Sequence, residues 1–339
     1  MKQFKSRIPQ NKKHTKENIT LLGCGRWGSC IAWYLDSFGF NVATWGRENV
    51  KLVDDLFATR KNEYVTFPET IELTRDLKYA LDRTNIVIIS IGAQQVRNLM
   101  QSVKQVEGYK NKTYVLCMKG IEESTGKRLS EVLHENGVPK KNIAVWVGPG
   151  HIQEFTKGVP SLMVIDSTNK KLSEKLVKMF SSSLIKFYQG NDIVGTEIGA
   201  AAKNVMGIAA GLLDGSGNEV LKGPLMARGA FEVGRLMKAE GGKMTSAFGL
   251  CHLGDYEATL FSKHSHNRGF GEKFIQGEKF EKLAEGAYTA GAMLKMASRH
   301  KNLSLPITQA VYDIIHEGKD PEKVLDELLT RSNLKEFHN

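Results

Sequence analysis

Over roughly the first 188 residues, short β-branched and aliphatic runs alternate with longer amphipathic stretches, and then the alternation stops. Ile19-Thr20-Leu21-Leu22, Asn41-Val42-Ala43-Thr44-Trp45, Ile86-Val87-Ile88-Ile89-Ser90, Thr113-Tyr114-Val115-Leu116 and Ile143-Ala144-Val145-Trp146-Val147 read as buried strands. Such runs separated by helical patterns predict βαβ units, hence a parallel sheet covered on both faces. Leu162-Met163-Val164-Ile165 and Leu184-Ile185-Lys186-Phe187 are expected to extend that sheet. After Asp192 the chain becomes rich in Ala, Gly, Leu and Met at helical spacing, and residues 196–213, 225–239 and 311–317 each predict a helix. The pattern therefore predicts an α/β domain over residues 19–190 and a mainly α-helical domain over 191–332, behind a basic tail at 1–18.

Length and composition agree with two cores. A chain of 339 residues exceeds the size at which one hydrophobic core usually stops growing. With 41% apolar and 25% charged residues, and no apolar stretch near the roughly 18 residues of a membrane helix, no membrane insertion is expected. The formal charge of +10 would suggest nucleic acid if it covered one face. Half of it lies in the first 18 residues, where Lys2, Lys5, Arg7, Lys12, Lys13 and Lys16 face only Glu17. That segment has no apolar run of the secretory kind and one arginine, so it reads as a flexible basic arm, and no nucleic-acid partner is expected. The remaining excess suits an anionic substrate and cofactor. Cys24, Cys30, Cys117 and Cys251 show neither paired spacing nor a CxxC motif, which points to the reducing cytoplasm.

Gly23-Cys24-Gly25-Arg26-Trp27-Gly28 is a GxGxxG motif directly after a predicted strand and before a helix running toward Phe38. Alone, such a motif could be an ordinary tight turn. Between a strand and a helix, Gly23 permits the turn, Gly25 lets the backbone approach a pyrophosphate, and Gly28 lets the helix pack on the strand. The α/β half is thus expected to be a Rossmann-type domain, with Gly23, Gly25, Arg26, Trp27 and Gly28 holding NADP or NAD. No carboxylate closes the second strand, where Trp45 is followed by Gly46 and Arg47. Arg47 could pair with a 2′-phosphate, which favours NADP, or stack on adenine, or be a solvated surface arginine.

Lys203 is the one cation in the small-residue segment 199–210. Burial there would lower its pKa and let it pass a proton to a carbonyl oxygen, although a lysine can also snorkel from a helix face. Lys119 follows a predicted strand at its carboxyl end, where open α/β sheets bind ligands, and Asp255 stands on a glycine-flanked turn where it could hold a lysine. Singly, Lys119 could be a surface charge and Asp255 a helix cap. Together with the nucleotide loop they make a plausible reductase site.

These motifs, with Lys119-Gly120-Ile121-Glu122, Gly148-Pro149, Lys203-Asn204, Gly254-Asp255, Asn267-Arg268-Gly269-Phe270-Gly271, Glu285-Gly286 and Pro306-Ile307-Thr308, occur in an order that resembles the soluble, bacterial-type NAD(P)-dependent sn-glycerol-3-phosphate dehydrogenases over about residues 19–331. The resemblance implies reversible reduction of dihydroxyacetone phosphate to sn-glycerol 3-phosphate, without a metal. It implies Lys203 as proton donor and acceptor, Lys119 and Asn204 as groups that bind or orient substrate, and Asp255 as the holder of the lysines. It also puts Gly148, Gly150, Thr259, Ser265, His266 and Asn267 at the substrate, and Trp27, Arg47, Lys119, Leu283 and Glu285 at the cofactor. Two positions depart from the family: Gly150 where Ser or Thr is usual, and His266 where an arginine grips the substrate phosphate. Arg268, two residues on, could supply that charge instead. The expected protein is a cytoplasmic homodimer acting on a small phosphorylated substrate. The alternatives are a reductase of a different phosphorylated or polyol ketone and a nicotinamide-binding sensor without turnover.

Overall fold

The structure, a computed structural model, describes residues 17–281 and 284–331. Most of the basic tail, and Leu283, lie outside the described residues. The strands expected from the apolar runs form at β1 (Asn18–Leu22), β2 (Asn41–Trp45), β4 (Ile86–Ile89), β5 (Thr113–Leu116), β8 (Ile143–Val147), β9 (Ser161–Asp166) and β10 (Ile185–Gln189). β3 (Glu72–Thr74) adds a short edge, and β6 (Ile121–Glu122) with β7 (Lys127–Arg128) makes a separate hairpin. All three are too short for periodicity to reveal. The main sheet runs β10-β9-β8-β5-β4-β1-β2-β3. Its β3-to-β8 portion has the doubly wound 3-2-1-4-5-6 order of a dinucleotide-binding domain.

The central strands read as nearly continuous apolar runs because both faces are covered. Ile19, Leu21 and Ile88 face one buried cluster with Trp146, while Leu22, Val87, Ile89 and Val145 face the other. One expectation fails: β9 pairs antiparallel with β8, with Val145 opposite Asp166, so the sheet is mixed rather than parallel. A parallel return usually runs through a helix long enough to carry the chain back along the sheet. Between β8 and β9 there is only the four-residue helix Ile152–Phe155, and the chain turns back instead. Asp166, at the end of β9, is fully buried and accepts from Asp192 N at 2.9 Å and Thr196 Oγ1 at 2.8 Å. Those bonds tie the sheet to the start of the helical region.

That region is built around the helix Ile193–Gly215, which is buried along nearly its whole length. A helix enclosed on every side shows no polar face, which explains its composition. Its small residues permit very close crossings. A Cβ on Gly211 would lie 2.0 Å from the Arg268 carbonyl oxygen, and one on Gly271 would lie 2.3 Å from that of Ile208. The helices Lys222–Ala239, His266–Ile275, Glu285–Ala297 and Pro306–Ile315 surround it, with Pro321–Leu329 outside. The helix expected at 311–317 begins at Pro306 and ends at Ile315. Pro306 occupies the first turn, where its missing N–H costs nothing, and the fully buried Glu232 accepts from Ile307 N at 2.8 Å and Thr308 N at 3.0 Å. A cap supplied from 75 residues away is not visible in a local pattern.

Candidate active site

Gly23 turns the chain at φ +107°, and a Cβ on Gly28 would stand 2.2 Å from the Gly23 carbonyl oxygen, so strand and helix meet only with glycine at that point. Nothing lies within 4 Å of a Cβ on Gly25, which leaves its backbone open to a ligand. The helix Arg26–Ser37 starts there without a side-chain cap and without an acidic residue in its first turn. Its first amides are a ready anion site. The loop sits where β1 neighbours β2 on one side and β4 on the other, the switch point at which open α/β sheets bind ligands.

Above this point lies a cleft of about 870 Å³ between the two regions, at the large end of small-molecule sites. Gly23 to Trp27, Arg47, Ser90 to Gly92 and Lys119 line it from the sheet side. Lys203, Asn204, Asp255, Thr259, Ser265 to Asn267 and Glu285 line it from the helical side. The structure thus brings nearly every residue singled out from the sequence to one place.

Asp255 organises the centre. Its Oδ2, almost wholly buried, accepts from Lys119 Nζ at 2.8 Å and pairs with Lys203 Nζ at 3.1 Å. Lys119 also donates to the Gly148 carbonyl at 2.6 Å, and Asn204 Nδ2 fixes the Lys119 carbonyl at 2.8 Å. Lys203 donates to Thr259 Oγ1 at 2.8 Å, and that hydroxyl donates onward to the Asp255 carbonyl at 2.7 Å. Thr259 stands in the π-helical turn Glu257–Phe261, a distortion that recurs at functional sites. Burial brings the Lys203 ammonium down to about 8 against the attraction of Asp255, and Lys119 lowers it further. An amine with that affinity both gives and takes protons near neutrality.

Trp27 Nε1, His151 Nε2 and Glu285 Oε2 are buried without a hydrogen-bond partner among the described residues, and all three residues belong to this cleft. Buried polar atoms are normally satisfied, so orphans converging on one cleft fit a ligand that satisfies them. Glu285 accepts from Ala93 N at 3.3 Å, and burial holds its carboxyl above the usual range. Arg47 is exposed on the rim, and its carbonyl accepts from Arg75 at 2.6 Å. Arg75 in turn pairs with Asp54 at 2.6 Å and lies over the Phe57 ring.

At the other end, Ser265 caps the helix His266–Ile275 by accepting from Arg268 N, and Asn267 Oδ1 accepts from Gly286 N at 2.9 Å. The substitute charge considered at Arg268 is not in the cleft. Its guanidinium is drawn 2.5 Å from Asp214 and 3.3 Å from Glu272, because the helix turn carries position 268 to the opposite face. His266 instead meets Arg26 at 3.1 Å. The sequence reading missed His151, His264 and Tyr64. They come from separate loops, and only the adjacency of His151 to Gly148-Pro149 signalled any of them.

A model of the NAD-dependent glycerol-3-phosphate dehydrogenase N-terminus matches residues 18–173, and one of the same dehydrogenases' C-terminus matches residues 192–326. The chain belongs to this family. It is 33% identical over 335 residues to a glycerol-3-phosphate dehydrogenase [NAD(P)+] of Chlorobium limicola, covering 95% of this chain and all of that relative. It is 34% identical over 331 residues to one from a Thermoanaerobacter species, covering 94% and 99%. The crystal structure of glycerol-3-phosphate dehydrogenase from Coxiella burnetii superposes with a TM-score of 0.85 at 28% identity, over 93% of this chain and 99% of that one. Membership makes the chain an NAD(P)-dependent oxidoreductase with a Rossmann-type domain and a mostly helical one.

Within the family, Gly150 has a local cause. A Cβ there would lie 2.6 Å from two carbons of the Phe155 ring, so a larger residue at 150 would require that ring to move. No helix among the described residues is long and apolar enough to cross a membrane, and no group of three metal-ligating side chains occurs among them.

Proposed function

We propose that this enzyme reduces dihydroxyacetone phosphate to sn-glycerol 3-phosphate, reversibly, with NADPH or NADH. The observation that carries the reading is the buried Lys203-Asp255-Lys119 cluster, set beside a dinucleotide loop in a chain of this family. Bound at the Gly23–Gly28 loop, the nicotinamide cofactor supplies the hydride. Trp27, Arg47 and Glu285 would hold it together with the first-turn amides. The Lys203 ammonium donates a proton to the substrate's carbonyl oxygen, and the Lys119 ammonium stabilises negative charge on that oxygen. Asp255 holds both amines in place, and Thr259 orients the Lys203 proton. In the reverse direction neutral Lys203 takes the proton of the secondary hydroxyl.

The test follows NADPH and NADH absorbance with a panel of ketone phosphates in wild type and Lys203→Ala. Dihydroxyacetone phosphate should be reduced, and the variant should lose at least about 100-fold in kcat with cofactor affinity little changed. Near-normal turnover by folded Lys203→Ala would remove the lysine from its role. Gly150 and His266 favour a second reading, reduction of a different phosphorylated ketone, and turnover confined to such a substrate would establish it. Cytoplasmic residence is supported by four buried, unpaired thiols. The homodimer belongs to the same reading, and sedimentation velocity checks it.

A further inference from the structure

The cations around the cleft are not equally committed. Lys119 and Lys203 share the Asp255 carboxylate, and Arg268 is turned away to Asp214 and Glu272. Arg47 is exposed on the rim beyond β2, on the side where a dinucleotide's adenosine lies. Arg26 differs from all of them. It is half-buried in the first turn after the glycine loop and makes no ion pair with a carboxylate among the described residues. Its guanidinium lies 5.2 Å from the centre of the Tyr64 ring and within 3.1 Å of His266 Nε2. Arginine has only donors, so Nε2 is the acceptor in this contact and the imidazole acts on Arg26 as a positioning group. Two residues 240 apart in sequence are thereby joined across the cleft, one on each domain.

The direction of the side chain separates it from the pyrophosphate site. That site is made by backbone amides around Gly25, whereas the Arg26 head reaches the helical domain beside Ser265 and Asn267. Its charge is felt at His151, the imidazole that Asp255, His264 and Lys203 also influence. The guanidinium therefore stands on the helical-domain side of the cleft whose lining also holds Lys203 and His151. A planar fork with a permanent charge, held by an aromatic face and an imidazole nitrogen, matches a phosphate dianion in geometry and sign.

We propose that Arg26, positioned by His266 and Tyr64, is the residue that binds the substrate's phosphate and sets the preference for a phosphorylated ketone. This rests on the reading of the enzyme as a reductase of dihydroxyacetone phosphate. It revises the sequence expectation that Arg26 serves the cofactor and that His266 grips the phosphate directly. His266 in this arrangement keeps the guanidinium aimed.

The experiment compares wild type, Arg26→Ala and Arg26→Lys with dihydroxyacetone phosphate and with unphosphorylated dihydroxyacetone, while NADPH affinity is measured separately by fluorescence titration. In Arg26→Ala, KM for the phosphorylated ketone should rise about 10- to 100-fold, the worth of a charge-assisted hydrogen bond, with kcat changed much less. Arg26→Lys should fall between. The kcat/KM for dihydroxyacetone should be unchanged, and NADPH affinity should stay within about 3-fold, since the amides at the helix start are intact. Equal losses for both ketones, or NADPH affinity falling in step with KM, would overturn the assignment and place Arg26 on the cofactor. Should the wild type oxidise NADPH with no ketone phosphate at all, the reductase reading fails by itself. Titration of inorganic phosphate into the NADP complex by calorimetry then decides the subsite: binding weakened in Arg26→Ala supports it, and equal binding in both proteins rejects it.

Discussion

Replacing Asp255 with asparagine tests how this site sets the proton affinity of its lysine. The carboxylate lies 3.1 Å from Lys203 Nζ and 2.8 Å from Lys119 Nζ, and is almost completely buried. At an effective dielectric of about 20, a charge pair at that separation is worth about 5 kcal/mol before any relaxation. Relaxation and entry of water leave the shift of about 1 to 3 units that an opposite charge at this range usually produces. The Lys203 ammonium, already down at about 8 in the wild type, loses the one attraction opposing burial and the neighbouring Lys119. It should therefore fall to about 5 to 7 in Asp255→Asn.

The sign follows from the chemistry. Reduction requires protonated Lys203, so kcat/KM for ketone reduction in the wild type should hold at low pH and decline as pH rises through about 8. Oxidation of the alcohol requires the neutral amine and should rise through the same point. In Asp255→Asn the reductive decline should move to lower pH, and a midpoint near 6 would cost about 25-fold in protonated enzyme at about pH 7.5. The assay is NADPH absorbance between about pH 5 and 9.5, spanning both positions of the midpoint, with circular dichroism to check folding. Loss of a buried partner is also expected to cost about 3 to 5 kcal/mol of stability. Thr259→Val, which removes a neutral hydroxyl rather than a charge, supplies a folded comparison with a smaller shift. An unchanged midpoint in Asp255→Asn would refute the idea that this carboxylate tunes Lys203.

Arg47→Asp should weaken NADPH binding more than NADH binding, by charge reversal beside the 2′-phosphate, and equal losses in titrations of the two cofactors would indicate adenine stacking instead. Gly150→Ser, which restores the residue usual in the family, is expected to cost about 1 to 3 kcal/mol in urea denaturation, because its Cβ would press 2.6 Å from the Phe155 ring. Combining it with Phe155→Leu should recover part of that loss; no recovery would show that the strain lies elsewhere. Gly28→Ala should destabilise the nucleotide domain and weaken both cofactors, since its Cβ would stand 2.2 Å from the Gly23 carbonyl oxygen, and a normal melting temperature with normal cofactor affinity would contradict that geometry.

The order of residues along this chain determined whatever depends on local period and local chemistry. Strands buried on both faces carry few polar positions, so β1, β2, β4, β5 and β8 stood out as β-branched and aliphatic runs, with Thr20 and Thr44 the buried exceptions in β1 and β2. The glycine loop has to be contiguous to make its turn, and Lys203 was conspicuous as the one cation in the small-residue segment 199–210. Tertiary structure decided whatever joins distant segments. The reversal at β9 goes with a connection that holds only a four-residue helix, and the start of the helix at Pro306 depends on Glu232 reaching its first amides from another helix. The same holds inside the cleft. Asp255 could have been a cap until folding set it between two lysines, and Arg268 looked available until helical rotation carried it to Asp214. Arg26 belonged to the nucleotide loop by position, and only the packing of the helical domain against that loop, which put His266 3.1 Å from its guanidinium, gave it a neighbour on the helical side of the cleft. Local sequence encodes which conformations and charges are present; the meeting of charges from separate loops is set by how the two cores dock, and no period along the chain records it.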